Sequence, residues 1–206
     1  MLTVGLTGNL ASGKTAVAEH WREAGVRVID ADRLGHEVLR ENPGAKAALV
    51  ETFGERILGA DGSIDRVALG ERAFASEEGV RRLDEIVHPP LLERLRAELE
   101  RAEKESAPLA AVDAALIFEF GFDEELDAVV LVTAPREIRA ERLRQTRGLD
   151  DDRIERIMAA QLPDAEKVAA SDYVIVNDGS LEELRAAADR VLAGIRSDFG
   201  SGTADT

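Results

Sequence analysis

Five short runs along the chain are apolar enough to be strands covered on both faces. They are Leu2-Thr3-Val4-Gly5-Leu6, Val26-Arg27-Val28-Ile29, Leu109-Ala110-Ala111-Val112-Asp113, Ala128-Val129-Val130-Leu131-Val132-Thr133 and Tyr173-Val174-Ile175-Val176. Near-continuous apolar character, rather than strict alternation, is the mark of parallel strands buried between helices. Between the runs the period lengthens to that of a helix. Val17 and Trp21 follow the first run, and Leu184, Ala188, Val191, Leu192 and Ile195 follow the last. This alternation predicts an α/β protein of three layers, with a five-stranded parallel sheet between helices. The β-branched run at 128–133 predicts the central strand.

From residue 33 to about 106 the pattern changes to helices separated by turns, with no strand. That stretch predicts a helical insertion. Asn42-Pro43-Gly44 and Asp61-Gly62-Ser63 are its turn signals, and Leu91, Leu92, Leu95 and Leu99 trace the buried face of a long helix. His88-Pro89-Pro90 predicts a break just before that face begins. A second helical stretch, at 142–161, repeats Ile154, Ile157, Met158 and Gln161 at helical spacing and predicts a lid. Ser180 and Glu183 predict a capping box for the last helix, and residues 197–206 a polar, disordered tail. The remainder, 1–196, is one domain.

The connection after the first strand carries the most chemistry. Gly8-Asn9-Leu10-Ala11-Ser12-Gly13-Lys14-Thr15 has the spacing of a P-loop, between a strand and a helix start. Glycines at positions 8 and 13 let successive backbone N–H groups point inward at one anion. The helix that follows adds unpaired amides and the positive end of its dipole. Lys14 can reach the β- and γ-phosphates, and the Thr15 hydroxyl can ligate Mg²⁺. The motif predicts a P-loop nucleoside triphosphatase fold and triphosphate binding. It leaves the phosphate acceptor open.

Composition then narrows the partners. With 26 basic and 41 acidic residues the net charge is -15, which speaks against a broad surface for nucleic acid or anionic membrane. An anionic substrate must therefore meet a local basic site. There is no cysteine, so thiolate chemistry is excluded, and His20, His36 and His88 are too scattered for a metal site. The first residues show neither a basic flank nor a long apolar stretch, which predicts a cytoplasmic protein.

Further candidates lie where strands end, because ligands of parallel α/β sheets gather at the carboxyl ends. Asp32, just past the second strand, is a candidate base or Mg²⁺ residue, although Asp30 or Asp32 would equally serve as a helix cap. Asp113 ends the third run and could act near Mg²⁺, or serve as a cap or a hydrogen-bonding residue at the sheet edge. Arg136, Arg139, Arg142, Arg144 and Arg147 cluster ahead of Gly148, an exception in so acidic a chain and the kind of charge phosphoryl transfer requires. Glu137, Glu141 and Glu155 could instead pair with several of them.

The P-loop, Asp30-Ala31-Asp32, His88-Pro89, Leu116-Ile117-Phe118-Glu119, Arg147-Gly148-Leu149, Gln161, Lys167 and Asn177-Asp178-Gly179-Ser180 occur in one order that resembles dephospho-CoA kinase, from Thr3 to about Arg196. The resemblance implies a fold similar to nucleoside monophosphate kinases. It also implies transfer of the γ-phosphate of ATP to the ribose 3′-hydroxyl of dephospho-CoA, in line and with Mg²⁺, the last step of coenzyme A synthesis. By position, Ala11, Ser12, Gly13, Lys14, Thr15 and Ala16 would hold the ATP phosphates, and Asp32 would accept the hydroxyl proton. His88 would help hold the acceptor in the insertion, Arg147 would belong to the lid, and Asn177 and Gly179 would lie near adenine. The family often has glycine where Asn9 and Ala11 stand, and proline where Ala115 stands.

Overall fold

The computed structural model describes residues 1–159 and 161–200. The chain divides into two compact units, one holding Met1–Ile29 and the residues from Arg101 onward, the other Asp30–Glu100.

In the first unit, β1 (Leu2–Thr7), β2 (Arg27–Asp30), β3 (Leu109–Asp113), β4 (Ala128–Thr133) and β5 (Tyr173–Val176) form one sheet in the order β2-β3-β1-β4-β5. Val4 lies beside Ala111 on one side and Ala128 on the other, and Val130 beside Tyr173, in parallel register. The five-stranded parallel sheet is thus present. Its centre, however, is β1, and β4 lies one place out. The apolar composition of β4 reports burial on both faces, which inner strands share, whereas strand order follows from the crossovers.

Residues α1 (Lys14–Glu23) and α9 (Leu181–Gly200) pack side by side and close one face of the sheet. Val4, Leu6, Val130, Val132 and Ile175 meet Val17, Trp21, Leu184, Ala188, Leu192 and Ile195 there in one buried cluster. Trp21 is fully buried and donates its indole N–H to the Ala188 carbonyl at 3.3 Å, which satisfies the one polar atom of the largest side chain in this core. Beyond β4 come α6 (Arg136–Arg147), α7 (Asp151–Ala159) and α8 (Asp164–Ala170), of which α8 packs on β4.

The capping box of α9 is formed. The Glu183 carboxylate accepts from the Ser180 N–H at 2.7 Å and from its hydroxyl at 2.9 Å, while the Ser180 hydroxyl accepts from the Glu183 N–H at 3.2 Å. The first of these bonds, then the second, holds the Glu183 carboxyl below its usual range. At its other end α9 continues to Gly200, so the tail expected from residue 197 does not start there. The Tyr173 hydroxyl donates to Asp198 and ties that last turn to β5. Residues 201–206 lie outside the described residues.

The second unit contains α2 (Ala31–Glu41), α3 (Pro43–Phe53), α4 (Arg66–Ala73) and most of α5 (Glu77–Lys104). Leu49, Ile57 and Leu69 form its core with Leu83, Ile86 and Val87 of α5 packed against them. Asn42 caps α3 by accepting from the Ala45 N–H at 3.0 Å, and Pro43 opens the helix, so the Asn42-Pro43-Gly44 turn is a helix junction. The break expected at His88-Pro89-Pro90 does not occur, because α5 runs through both prolines. Two prolines cost helical hydrogen bonds, but the helix is anchored on both sides of them, by Leu83, Ile86 and Val87 before and by buried Leu91 and Leu95 after.

Among the described residues no helix is long and apolar enough to cross a membrane. The capping box gives a direct check on the packing of α9. Ser180→Ala removes the acceptor of the Glu183 N–H and should cost about 1 kcal/mol of stability, measured as a lower urea midpoint with unchanged slope; an unchanged midpoint would show that α9 is held by its buried face alone.

Candidate active site

The loop between β1 and α1 is shaped by where its atoms cannot go. A Cβ on Gly8 would meet the Val132 carbonyl oxygen of β4 and lie 2.7 Å from the Ser12 hydroxyl. A Cβ on Gly13 would run into the Asn177 amide, and Gly13 also has φ +103°, in the left-handed region. Ala11 adopts φ +64° with a side chain, a conformation that glycine takes more readily.

The carbonyls of Asn9, Ala11, Ser12 and Gly13 are taken. The Ala11 oxygen accepts from Arg142 Nη1 at 3.1 Å, and the Ser12 oxygen from Asn177 Nδ2 at 2.7 Å. The Asn9 oxygen accepts from the Ser12 N–H at 3.0 Å, and the Gly13 oxygen from the Ala16 N–H at 3.0 Å. By contrast, the N–H groups of Ala11, Gly13, Lys14 and Thr15 meet no protein acceptor among the described residues. These unpaired donors at a helix N-terminus make an anion site.

Lys14 pairs with Asp113 at the carboxyl end of β3, with side chains only 13% and 10% exposed. Thr15 is exposed, and its hydroxyl has no protein partner among the described residues. The Thr15 hydroxyl and the Asp113 carboxylate are hard oxygen donors of the kind that suits magnesium, which takes few protein ligands and keeps phosphates and waters as the rest. The residues present therefore fit that ion.

The arginines of α6 separate by partner. Arg136 pairs with Glu155, and Arg139, buried, donates to Asp164 at 2.7 Å. Arg144 is held by Asp151 at 2.8 Å and Glu141 at 3.1 Å, contacts that raise its already high pKa. Arg142 braces the P-loop and also donates to the Asn177 side-chain oxygen at 3.1 Å. Arg147, next to the left-handed C-cap Gly148, is exposed and has no partner among the described residues.

Asp30 and Asp32 separate in the same way. Asp30 is the N-cap of α2 and accepts from the Arg33 N–H at 2.9 Å. Asp32 stands exposed in the first turn, relieved of capping and with no partner among the described residues. His88 lies within α5, 3.3 Å from Asp84 one turn earlier. Asp32 and His88 belong to the second unit. Asn177 is buried and braces Ser12, whereas Gly179 lies exposed in the turn before α9, against the Glu183 carboxylate.

The sequence names Arg142 and Lys167 but does not show their part in holding the loop and its surroundings. Arg142 looked like its four neighbours, although its spacing of three from Arg139, beside buried Leu143, marks the inner face of α6. Lys167, fully buried, donates to the Ala115 carbonyl at 2.9 Å and lies 3.3 Å from Glu119. The Thr7 hydroxyl donates to the same carbonyl at 3.2 Å, so the chain after β3 is pinned beside the start of the P-loop. Neither Asn9, which stands where the family often has glycine, nor Asp164 carries a local signal of its place in this network.

Comparison with known proteins shows the family. The sequence profile of the CoaE dephospho-CoA kinase family matches residues 2–183. A dephospho-CoA kinase of Anaeromyxobacter dehalogenans is 42% identical over 200 residues, covering 97% of this chain and 95% of its own length. Among solved structures, TT1252 from Thermus thermophilus superposes with a TM-score of 0.80 at 37% identity, covering 94% of this chain and 97% of its own. A dephospho-CoA kinase from Campylobacter jejuni superposes with a TM-score of 0.72 at 26% identity, covering 95% and 98%. With the profile spanning most of its length and a P-loop braced for phosphate, the chain belongs to the dephospho-CoA kinase family.

Proposed function

We propose that this protein phosphorylates dephospho-CoA with ATP to give coenzyme A, the last step of coenzyme A synthesis, by transfer to the ribose 3′-hydroxyl. The observation that carries the reading is the loop at 8–15, where the Asn9, Ala11, Ser12 and Gly13 carbonyls are bonded away while the Ala11, Gly13, Lys14 and Thr15 N–H groups are left open among the described residues, in a chain of this family. The absence of long apolar helices among the described residues is compatible with a cytoplasmic setting.

In this reading Ala11, Ser12, Gly13, Lys14, Thr15 and Ala16 surround the ATP phosphates, which bind to the open N–H groups of Ala11, Gly13, Lys14 and Thr15 and to the Lys14 ammonium. Thr15 and Asp113 would hold Mg²⁺, which supplies neutralising charge to the phosphate oxygens. Lys14 exchanges its Asp113 contact for phosphate. Arg147, its guanidinium uncommitted among the described residues, stabilises charge on the transferred group, and Arg144, held by two carboxylates, does not. Asn177 and Gly179 line the adenine side, and His88 holds the acceptor. Asp32 orients the ribose hydroxyl and takes its proton as the bond to phosphorus forms.

Coupled ADP release separates this function from its relatives on the same fold. Dephospho-CoA should support turnover, while shikimate and nucleoside monophosphates should give at most a background rate; strong turnover with one of those would replace the proposed acceptor. The role of Asp32 is separable from folding because Asp30 carries the cap. Asp32→Asn should keep KM for both substrates within a fewfold and lower kcat by about a hundredfold or more, the lower end of general-base contributions. Near-normal kcat would remove Asp32 from the chemistry.

A further inference from the structure

The chain that leaves α6 at Arg147 and returns at Gln161 is tied to the P-loop at both ends. On the outgoing side Arg142 donates to the Ala11 carbonyl at 3.1 Å and the Ser12 carbonyl at 3.4 Å. On the returning side the Leu10 N–H donates to Gln161 Oε1 at 3.1 Å. The Asn9 amide donates to the Leu162 carbonyl at 3.1 Å and to Asp164 Oδ1 at 2.7 Å, and the other Asp164 oxygen accepts from Arg139. Leu10 and Ala11 also pack against Leu143, Ile154 and Met158, the apolar seam between α6 and α7.

This network is poorly built for stability alone. Asn9 is 4% exposed and Arg139 5% exposed, and the Asn9 Oδ1 and Arg139 Nε atoms are buried with no partner among the described residues. Buried polar atoms left unsatisfied lower stability, and a buried ion pair is often no better than an apolar replacement. What such a network does well is fix one register of two segments. Asn9 is moreover dispensable for the cradle itself, because its backbone is not among the left-handed positions and its side chain faces the returning segment rather than the open amides.

We propose that Asn9 and Asp164 are positioning residues for the transfer reaction, registering the segment between α7 and α8 to the P-loop so that phosphate in the loop and the placement of α7 and Arg147 depend on each other. The proposal rests on the phosphate-site reading above. Linkage makes the dependence reciprocal: phosphate orders α7 by the factor by which an ordered α7 tightens phosphate.

Hydrogen exchange on the full chain, with and without a non-hydrolysable ATP analogue and Mg²⁺, reads this coupling without turnover. In the wild type the analogue should slow exchange in peptides covering 148–159 by about fivefold or more, the lower end of typical couplings. In Asn9→Ala the slowing should fall below about twofold, and affinity for the analogue should weaken by no more than the same factor. Asp164→Asn keeps an acceptor for Asn9 but loses charge toward Arg139, and should fall between the two. Wild-type slowing retained in Asn9→Ala overturns the proposal, as does wild-type binding with unchanged exchange. Failure of the wild type to bind the analogue would remove the phosphate-site reading and this proposal with it.

Discussion

Backbone amides can hold a phosphate only where the neighbouring carbonyls have other partners, and in residues 8–15 those partners come from three directions. Asn177, at the end of β5, takes the Ser12 carbonyl, and Arg142 of α6 takes the Ala11 carbonyl. The first turn of α1 takes the Gly13 carbonyl. Each contact needs the loop to pass close to another segment, which is why a Cβ is excluded at Gly8 by β4 and at Gly13 by Asn177. The sheet order serves this arrangement. With β1 at the centre, its carboxyl end is flanked by those of β3 and β4, so that Asp113 can reach Lys14 and Val132 can back Gly8.

Charge is handled on two scales. The chain carries a net charge of -15, and many of its arginines stand in exposed pairs such as Arg81 with Glu78 and Arg144 with Glu141, contacts worth little individually in water. The ion pairs with a buried partner lie elsewhere, at Lys14 with Asp113, Arg139 with Asp164 and Lys167 with Glu119. All three join segments far apart in sequence within the first unit. Their contribution is position rather than net stability, since desolvation offsets much of the attraction.

Much of this was legible in the sequence, for identifiable reasons. The five strands announce themselves because burial on both faces demands continuous apolar residues, and the P-loop because glycine at fixed spacing is a backbone requirement. Ser180 and Glu183 were legible because a capping box is a local motif. Strand order was not, since composition cannot tell β1 from β4. Nor was the passage of α5 through Pro89 and Pro90, which depends on packing at either side. The distinction among Arg139, Arg142, Arg144 and Arg147 was only partly legible: spacing puts Arg139 and Arg142 on the inner face of α6, but only tertiary partners separate a brace from an ion pair and from a guanidinium with no partner among the described residues. Asp30 and Asp32 differ likewise, by a single capping hydrogen bond.

The central claim is that the open amides of residues 8–15, together with Lys14, bind and stabilise the phosphate that is transferred. Its most direct test is single-turnover transfer from ATP to dephospho-CoA by Lys14→Met, with circular dichroism confirming that the variant is folded at the assay temperature. The account predicts a loss of about a hundredfold or more in the transfer rate, the scale of removing one preorganised electrostatic contact to the transition state. A folded variant that transfers phosphate within a fewfold of the wild-type rate would contradict it.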